Sequence, residues 1–143
     1  DYFQALVHLN SHNLAHLDIK EGNIMRTKEG LYKLGDFSVT ADLTNMEKKD
    51  IEFGEGMYAA PEVLQHIITV KADIYSLGVA LALISLPVDA PLTEKESTEI
   101  KTGQLPERVT NALTGPLGLN KLVESMLDLD FSSRPSAQDF IEN

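Results

Sequence analysis

Cysteine is absent from this chain of 143 residues, so neither a disulfide framework nor a thiolate zinc site holds it together. Basic residues are scarce as well: 12 Lys and Arg stand against 22 Asp and Glu, a formal net charge of −10. A surface of that sign repels phosphate backbones and anionic lipid, which argues against direct nucleic-acid or membrane-surface binding. Long apolar runs are missing too. The longest uncharged stretch, IYSLGVALALISLPV from Ile74 to Val88, is too short to span a bilayer and is ended by Pro87. There is no internal repeat, low-complexity tract or obvious linker, and no signal-peptide pattern opens the chain. What is present, 43% hydrophobic and 24% charged, reads as one soluble globular domain or part of one. The abrupt opening DYFQ and the abrupt ending FIEN lead us to expect a piece of something longer.

Periodicity sets out the elements. Phe3, Leu6, Val7 and, roughly, Asn10 share a helical face that the turn-prone NSHN closes. NIMRT and LYKLG flank Lys28–Gly30, which predicts a small hairpin with Gly30 at positive φ. From Asp36 to Glu62 the chain is irregular, with a charged middle, NMEKKDIEFGEG; a loop of that length in a compact domain is usually functional or mobile. ADIYSLGVALALIS, Ala72 to Ser85, is apolar nearly all round, the pattern of a helix buried at a domain centre. Thr93 with Glu96 forms a capping-box pattern before an exposed helix that Gly103 can end. Leu119, Leu122, Val123, Met126 and Leu127 are spaced for another helix, and Ser136 with Asp139 caps the last. After about Pro61 everything reads as helical.

The chemistry concentrates in the loop AHLDIKEGNIM, Ala15 to Met25. Moving a phosphoryl group requires metal ions on the phosphates and a group that orients the attacking hydroxyl. Asp18 is suited to accept the hydroxyl proton, and Lys20 to neutralise charge on the transferred phosphate. Asn23 offers an amide oxygen to a metal, and Asp36, in LGDFS, a carboxylate; magnesium accepts such a sparse set because it keeps part of its water shell. Each residue alone is a weak signal, since a loop aspartate is most often a turn or capping residue.

The order of several such pieces is the stronger signal. HLDIKEGN resembles the catalytic loop of protein kinases, and GDFS the metal-binding D-F-G that follows it. AAPE, Ala59 to Glu62, resembles the end of the kinase activation segment. KADIYSLGVAL resembles the central helix of the kinase C-lobe, and RPSAQDF the arginine region of its last helix. The resemblance spans nearly the whole chain and implies a mainly α fold, a protein-kinase C-lobe with a short β-hairpin near the catalytic loop. It divides the chain into a catalytic loop at 16–23, a metal-binding motif at 36–38, an activation segment at 36–62 and a helical subdomain at 63–143. It further implies Asp18 as base, Lys20 on the γ-phosphate, and Asn23 and Asp36 as magnesium ligands, with ATP and Mg²⁺ as the cofactors. Four residues are implied as structural support: Glu62 and Arg134 as a buried ion pair, Asp73 bonded to the catalytic-loop backbone, and His16 packed within that loop.

The departures narrow the resemblance. Leu17 replaces the arginine usual before the aspartate, which binds an activation-loop phosphate through its planar fork. Glu55 stands where a threonine is common, and Ser38 replaces the glycine of D-F-G, which restricts the backbone there. Leu17, Lys20 and Glu55 together resemble the Wee-type inhibitory kinases of cyclin-dependent kinases. EGMYAAPEVLQ and TGQLPERVTNAL lean toward their membrane-associated tyrosine/threonine branch. That likeness implies ATP and a cyclin-dependent kinase as partners. It implies an intracellular setting: nucleus, cytoplasm, or the cytoplasmic face of an internal membrane, without a membrane segment in this chain. No glycine-rich loop, strand lysine or glutamate-bearing helix precedes the catalytic loop. The N-lobe is therefore expected to lie outside the chain, which alone is expected to be inactive. A generic serine/threonine kinase and a pseudokinase or interaction module stay open beside the Wee-type reading.

Overall fold

A computed structural model of the chain describes residues 2–47, 51–115 and 118–142. Residues 48–50, the centre of the charged stretch expected to be irregular, lie outside the described residues. The first helix, α1 (Tyr2–Ser11), leads into a two-residue strand β1 (Leu14–Ala15). The loop expected to carry the chemistry follows, ending in a single 3-10 turn at Glu21–Asn23. Strands β2 (Ile24–Arg26) and β3 (Tyr32–Leu34) then pair antiparallel, Ile24 opposite Leu34. Gly30 takes φ +87° in their turn. Strand β4 (Ala41–Asp42) returns to pair with β1, Ala15 opposite Ala41. Five helices follow: α2 (Ala72–Ile84), α3 (Glu94–Lys101), α4 (Glu107–Leu113), α5 (Asn120–Met126) and α6 (Asp139–Glu142). The chain is mostly helical with two small two-stranded sheets.

Why α2 is apolar all round is now visible: it lies between two cores. Tyr75, Val79 and Ala82 face a cluster that includes Ala15, Leu17, Ala60, Ile100 and Val123. Ile74 and Leu77 face the other, with Tyr2, Leu6, Leu9, Ile19 and Met126. Burying each of these large side chains stabilises the fold by about 1.5–3 kcal/mol. At Gly78 the two helices approach so closely that a Cβ would sit 3.0 Å from the Met126 Cβ. The cap of α3 forms as its sequence predicts: Thr93 N–H donates to Glu96 Oε2 at 2.8 Å, and Glu96 N–H to Thr93 Oγ1 at 3.2 Å. Arg108 donates to both Glu96 oxygens, and these bonds hold the Glu96 carboxyl near pKa 2.

The two helices expected from periodicity here, α1 and α5, both form, and packing decides which of their residues are most buried. The inner face of α1 is Tyr2, Leu6 and Leu9, while Phe3, Val7 and Asn10 are only half-buried. Phe3 instead stacks on Phe140 of α6, ring centroids 4.9 Å apart, which rotates the packed face. In α5, Val123 and Met126 are buried, but Leu122 lies at the exposed edge.

Candidate active site

The loop from His16 to Asn23 is anchored from beneath by Asp73, at the start of α2. Its carboxylate accepts the His16 N–H at 2.8 Å and the Leu17 N–H at 2.9 Å. Burial pushes the Asp73 pKa up, and the two amide bonds oppose that shift by favouring the charged form. Gly54 N–H donates to the Leu17 carbonyl at 2.8 Å from the other side. Leu17 is thereby fixed at φ +63°, a left-handed backbone that a bulky residue adopts only under constraint. Its side chain is buried in the core beside Ala59 and Ala60.

His16 is fully buried and both ring nitrogens are used. Nδ1 receives the Asp18 N–H at 3.2 Å, so the ring proton sits on Nε2, which donates to the Gly35 carbonyl at 2.9 Å. Gly35 N–H in turn donates to the Asn23 carbonyl at 2.9 Å. These bonds bring the Asp36 segment alongside the loop.

Asp18, its side chain 11% exposed, points into this junction. Asn23 Nδ2 donates to the Asp18 carbonyl at 2.8 Å and to its Oδ2 at 2.9 Å. Lys20 Nζ lies 3.7 Å from Asp18 Oδ1 and donates to Glu55 Oε1 at 2.8 Å. The Glu55 bond is the main cause that raises the Lys20 pKa; desolvation opposes it, and the charges of Asp18, Glu55 and Asp36 add to the rise. Asp36, at φ +52°, accepts both the Ser38 N–H at 3.2 Å and the Ser38 hydroxyl at 2.6 Å on Oδ1. Those two bonds hold its carboxyl below the usual range, so it is charged at neutral pH. Serine at this position supplies a hydroxyl bond that glycine has no atom to make.

The donor set suits a magnesium ion. Asn23 commits its NH₂ to Asp18, which leaves its amide oxygen for a ligand, and Asp36 commits only Oδ1 to Ser38. No group of three His, Cys, Asp or Glu side chains able to hold a metal occurs among the described residues. An amide oxygen and a carboxylate oxygen suit an ion that keeps water and phosphate ligands better than one that needs a closed protein cage.

Glu62 and Arg134 meet in a bidentate pair, Nη1 to Oε1 at 2.6 Å and Nη2 to Oε2 at 2.9 Å, with the Arg134 side chain wholly buried. Arg134 also donates to the carbonyls of Asp128 and Lys71, and packs over the Tyr75 ring.

Three contacts had no local signal in the sequence. A Cβ on Gly54 would fall 1.8 Å from Asp18 Oδ1, so the backbone there lies directly against the carboxylate. Tyr58 donates to Glu21 Oε2 at 2.5 Å while its carbonyl accepts the Ser76 hydroxyl at 2.8 Å. Lys101 reaches from α3 to the carbonyls of Gly56 and Ala59. Gly54, between Phe53 and Glu55, carries no sign of the first. The Glu21–Tyr58 and Gly56–Lys101 bonds join residues 37 and 45 positions apart.

Leu17, immediately before Asp18 and buried, offers no guanidinium fork to a phosphate on the 36–62 segment, and the nearby Lys20 is already bonded to Glu55. Phosphorylating residues between Asp36 and Glu62 of the full-length protein is expected to change its activity less than about threefold, because the charge-assisted bonds that order such segments have no arginine here. A gain of a hundredfold in a phosphate-transfer assay would contradict this.

Compared with known proteins, residues 1–143 match the family described as Protein kinase domain. The chain is 36% identical, over its whole length, to the membrane-associated tyrosine- and threonine-specific cdc2-inhibitory kinase wee-1.3 of Caenorhabditis elegans, covering 21% of that protein. It is 32% identical over its whole length to the kinase of the same description from Drosophila melanogaster, covering 27% of it. With the mitosis inhibitor protein kinase wee1 of Schizosaccharomyces pombe it shares 34% identity over 96% of the chain and 18% of that protein. The chain thus spans about a fifth to a quarter of the length of these relatives. No helix among the described residues is long and apolar enough to cross a membrane.

Proposed function

The chain belongs to the protein kinase family, and from that premise we propose that it is the C-lobe of a Wee-type kinase. The whole protein transfers the γ-phosphate of ATP to a tyrosine or threonine of a cyclin-dependent kinase and so restrains entry into mitosis. The observation that carries this is the convergence on one carboxylate: Asn23 bonds Asp18, Lys20 stands 3.7 Å from it, and Asp36 is tied alongside through Gly35. The relatives' names, which call them cdc2-inhibitory kinases, supply the substrate class.

Asp18 accepts the proton of the acceptor hydroxyl as that oxygen attacks. Asn23 keeps the Asp18 carboxylate aimed, and Lys20 faces the transferred phosphate, its charge secured by Glu55. Asn23 and Asp36 would hold a magnesium ion, which would supply neutralisation of the ATP phosphate charge. Asp73 and His16 support the loop without touching substrate, and Glu62 with Arg134 fixes the end of the activation segment. The setting is intracellular, on the side of a membrane or in the compartment where cyclin-dependent kinases reside.

A second reading, an interaction module without transfer, draws on Ser38 occupying one oxygen of Asp36. One experiment separates the two. The full-length protein is incubated with Mg-ATP and a catalytically dead cyclin-dependent kinase–cyclin complex, and the acceptor is mapped by mass spectrometry. Phosphate on an acceptor tyrosine or threonine is expected. An unmodified acceptor would leave the interaction-module reading standing.

A further inference from the structure

The segment Glu55–Ala60 follows Gly54, whose backbone lies against the Asp18 carboxylate. Glu55, Gly56 and Met57 are exposed, and their backbone is not paired into a sheet. Its shape is set by side chains arriving from elsewhere. Lys101, the last residue of α3, donates to the Gly56 carbonyl at 2.9 Å and also to that of Ala59. Its Nζ stands 5.4 Å from the centre of the Tyr75 ring on α2. A single ammonium thus spans the turn from exposed Gly56 to buried Ala59 and braces it against the central helix.

We propose that Lys101 is a positioning residue for the protein acceptor, its ammonium holding the Gly56 and Ala59 carbonyls so that the acceptor segment is presented to Asp18. This rests on the kinase reading of the site. Lys101 touches neither ATP nor the reacting atoms, so its influence falls on acceptor binding.

The ammonium is poorly solvated. It borders an apolar cavity of about 150 Å³ lined by Met57, Val79, Leu92, Ser97, Ile100 and its own stem. Desolvation brings its pKa down to about 8, against the pull of the Glu62 carboxylate, which favours the cation. Arg134 packs on the same Tyr75 ring and is paired with Glu62. A lysine whose folded pKa lies below its free value is a full donor to both carbonyls below pH 8 and a weaker one above it. The turn therefore loosens as pH rises through about 8.

The test compares full-length wild type, Lys101→Met and Lys101→Arg, with Asp18→Asn as control, phosphorylating the dead cyclin-dependent kinase–cyclin complex. Methionine keeps the stem and suits the apolar cavity; arginine keeps the charge at every accessible pH. Lys101→Met is expected to raise the acceptor KM about tenfold while the KM for ATP moves less than twofold, the loss of charged hydrogen bonds that act on acceptor binding alone. In the wild type the acceptor KM should climb roughly fivefold from pH 7 to pH 9, and in Lys101→Arg it should stay flat. The arginine comparison decides even if the methionine variant folds poorly. An acceptor KM within twofold of wild type for a folded Lys101→Met, or an alkaline rise in Lys101→Arg equal to the wild type's, overturns the proposal alone. A wild type no more active than Asp18→Asn overturns the kinase reading and the proposal with it.

Discussion

Gly54→Ala is expected to lower kcat of the full-length protein about a hundredfold with little change in the KM for ATP. The added methyl would fall 1.8 Å from Asp18 Oδ1 and 2.5 Å from its Cγ, distances no side chain tolerates. Either the carboxylate swings away or the backbone retreats. Swinging breaks the 2.9 Å bond from Asn23 Nδ2, and retreat stretches the 2.8 Å bond from Gly54 N–H to the Leu17 carbonyl. Both displace the proposed base by about 1 Å, a misplacement that costs about two orders of magnitude in a positioned reaction. A steady-state comparison at saturating ATP measures it. Wild-type kcat in the alanine variant would show that the backbone does not hold the carboxylate.

Arg134→Ala carries the largest expected cost in stability. Arg134 bonds both oxygens of Glu62 from a fully buried position, so its removal leaves a buried carboxylate unpaired and takes the arginine's bond from the Asp128 carbonyl. Breaking one side of a buried pair costs about 3–5 kcal/mol. In thermal unfolding of the full-length protein this corresponds to a lowering of about 10 °C in the transition of the part that contains this chain. The double change Glu62→Leu with Arg134→Met, which removes both charges, is expected to lose less than the single one. A single variant melting within about 2 °C of wild type would show that the pair contributes little.

Legibility in the sequence followed the range of the interaction. The helix α2 could be read because burial on both sides leaves no polar face, and the cap of α3 because Thr93 and Glu96 are three residues apart. The β2–β3 hairpin was readable from its turn. The pairing of β1 with β4 was not, since two residues show no alternation and their partners lie far apart in the chain. The rotated face of α1 was set by Phe140, at the other end of the chain. Within the candidate site, Asp18, Lys20, Asn23 and Asp36 were named from spacing and resemblance. Gly54, Lys101 and the Glu21–Tyr58 bond were not, because each takes its meaning from a segment brought in by the fold. Leu17 illustrates the limit of the motif itself. Its chemistry excluded phosphate binding, but only the packing explains why leucine stands there: a strained, positive-φ residue whose side chain completes the core.

The central claim is that the Asp18 carboxylate is the group on which phosphoryl transfer depends. Asp18→Asn preserves the size of the side chain and an oxygen for Asn23 Nδ2, while removing the charge that takes up a proton. The most direct measurement is the single-turnover rate of phosphate transfer from ATP to the acceptor, in full-length wild type and in Asp18→Asn, with thermal unfolding recorded on both. A rate about a thousandfold lower in the variant, at an unchanged melting temperature, is the predicted result. Equal rates in two equally stable proteins would contradict the account.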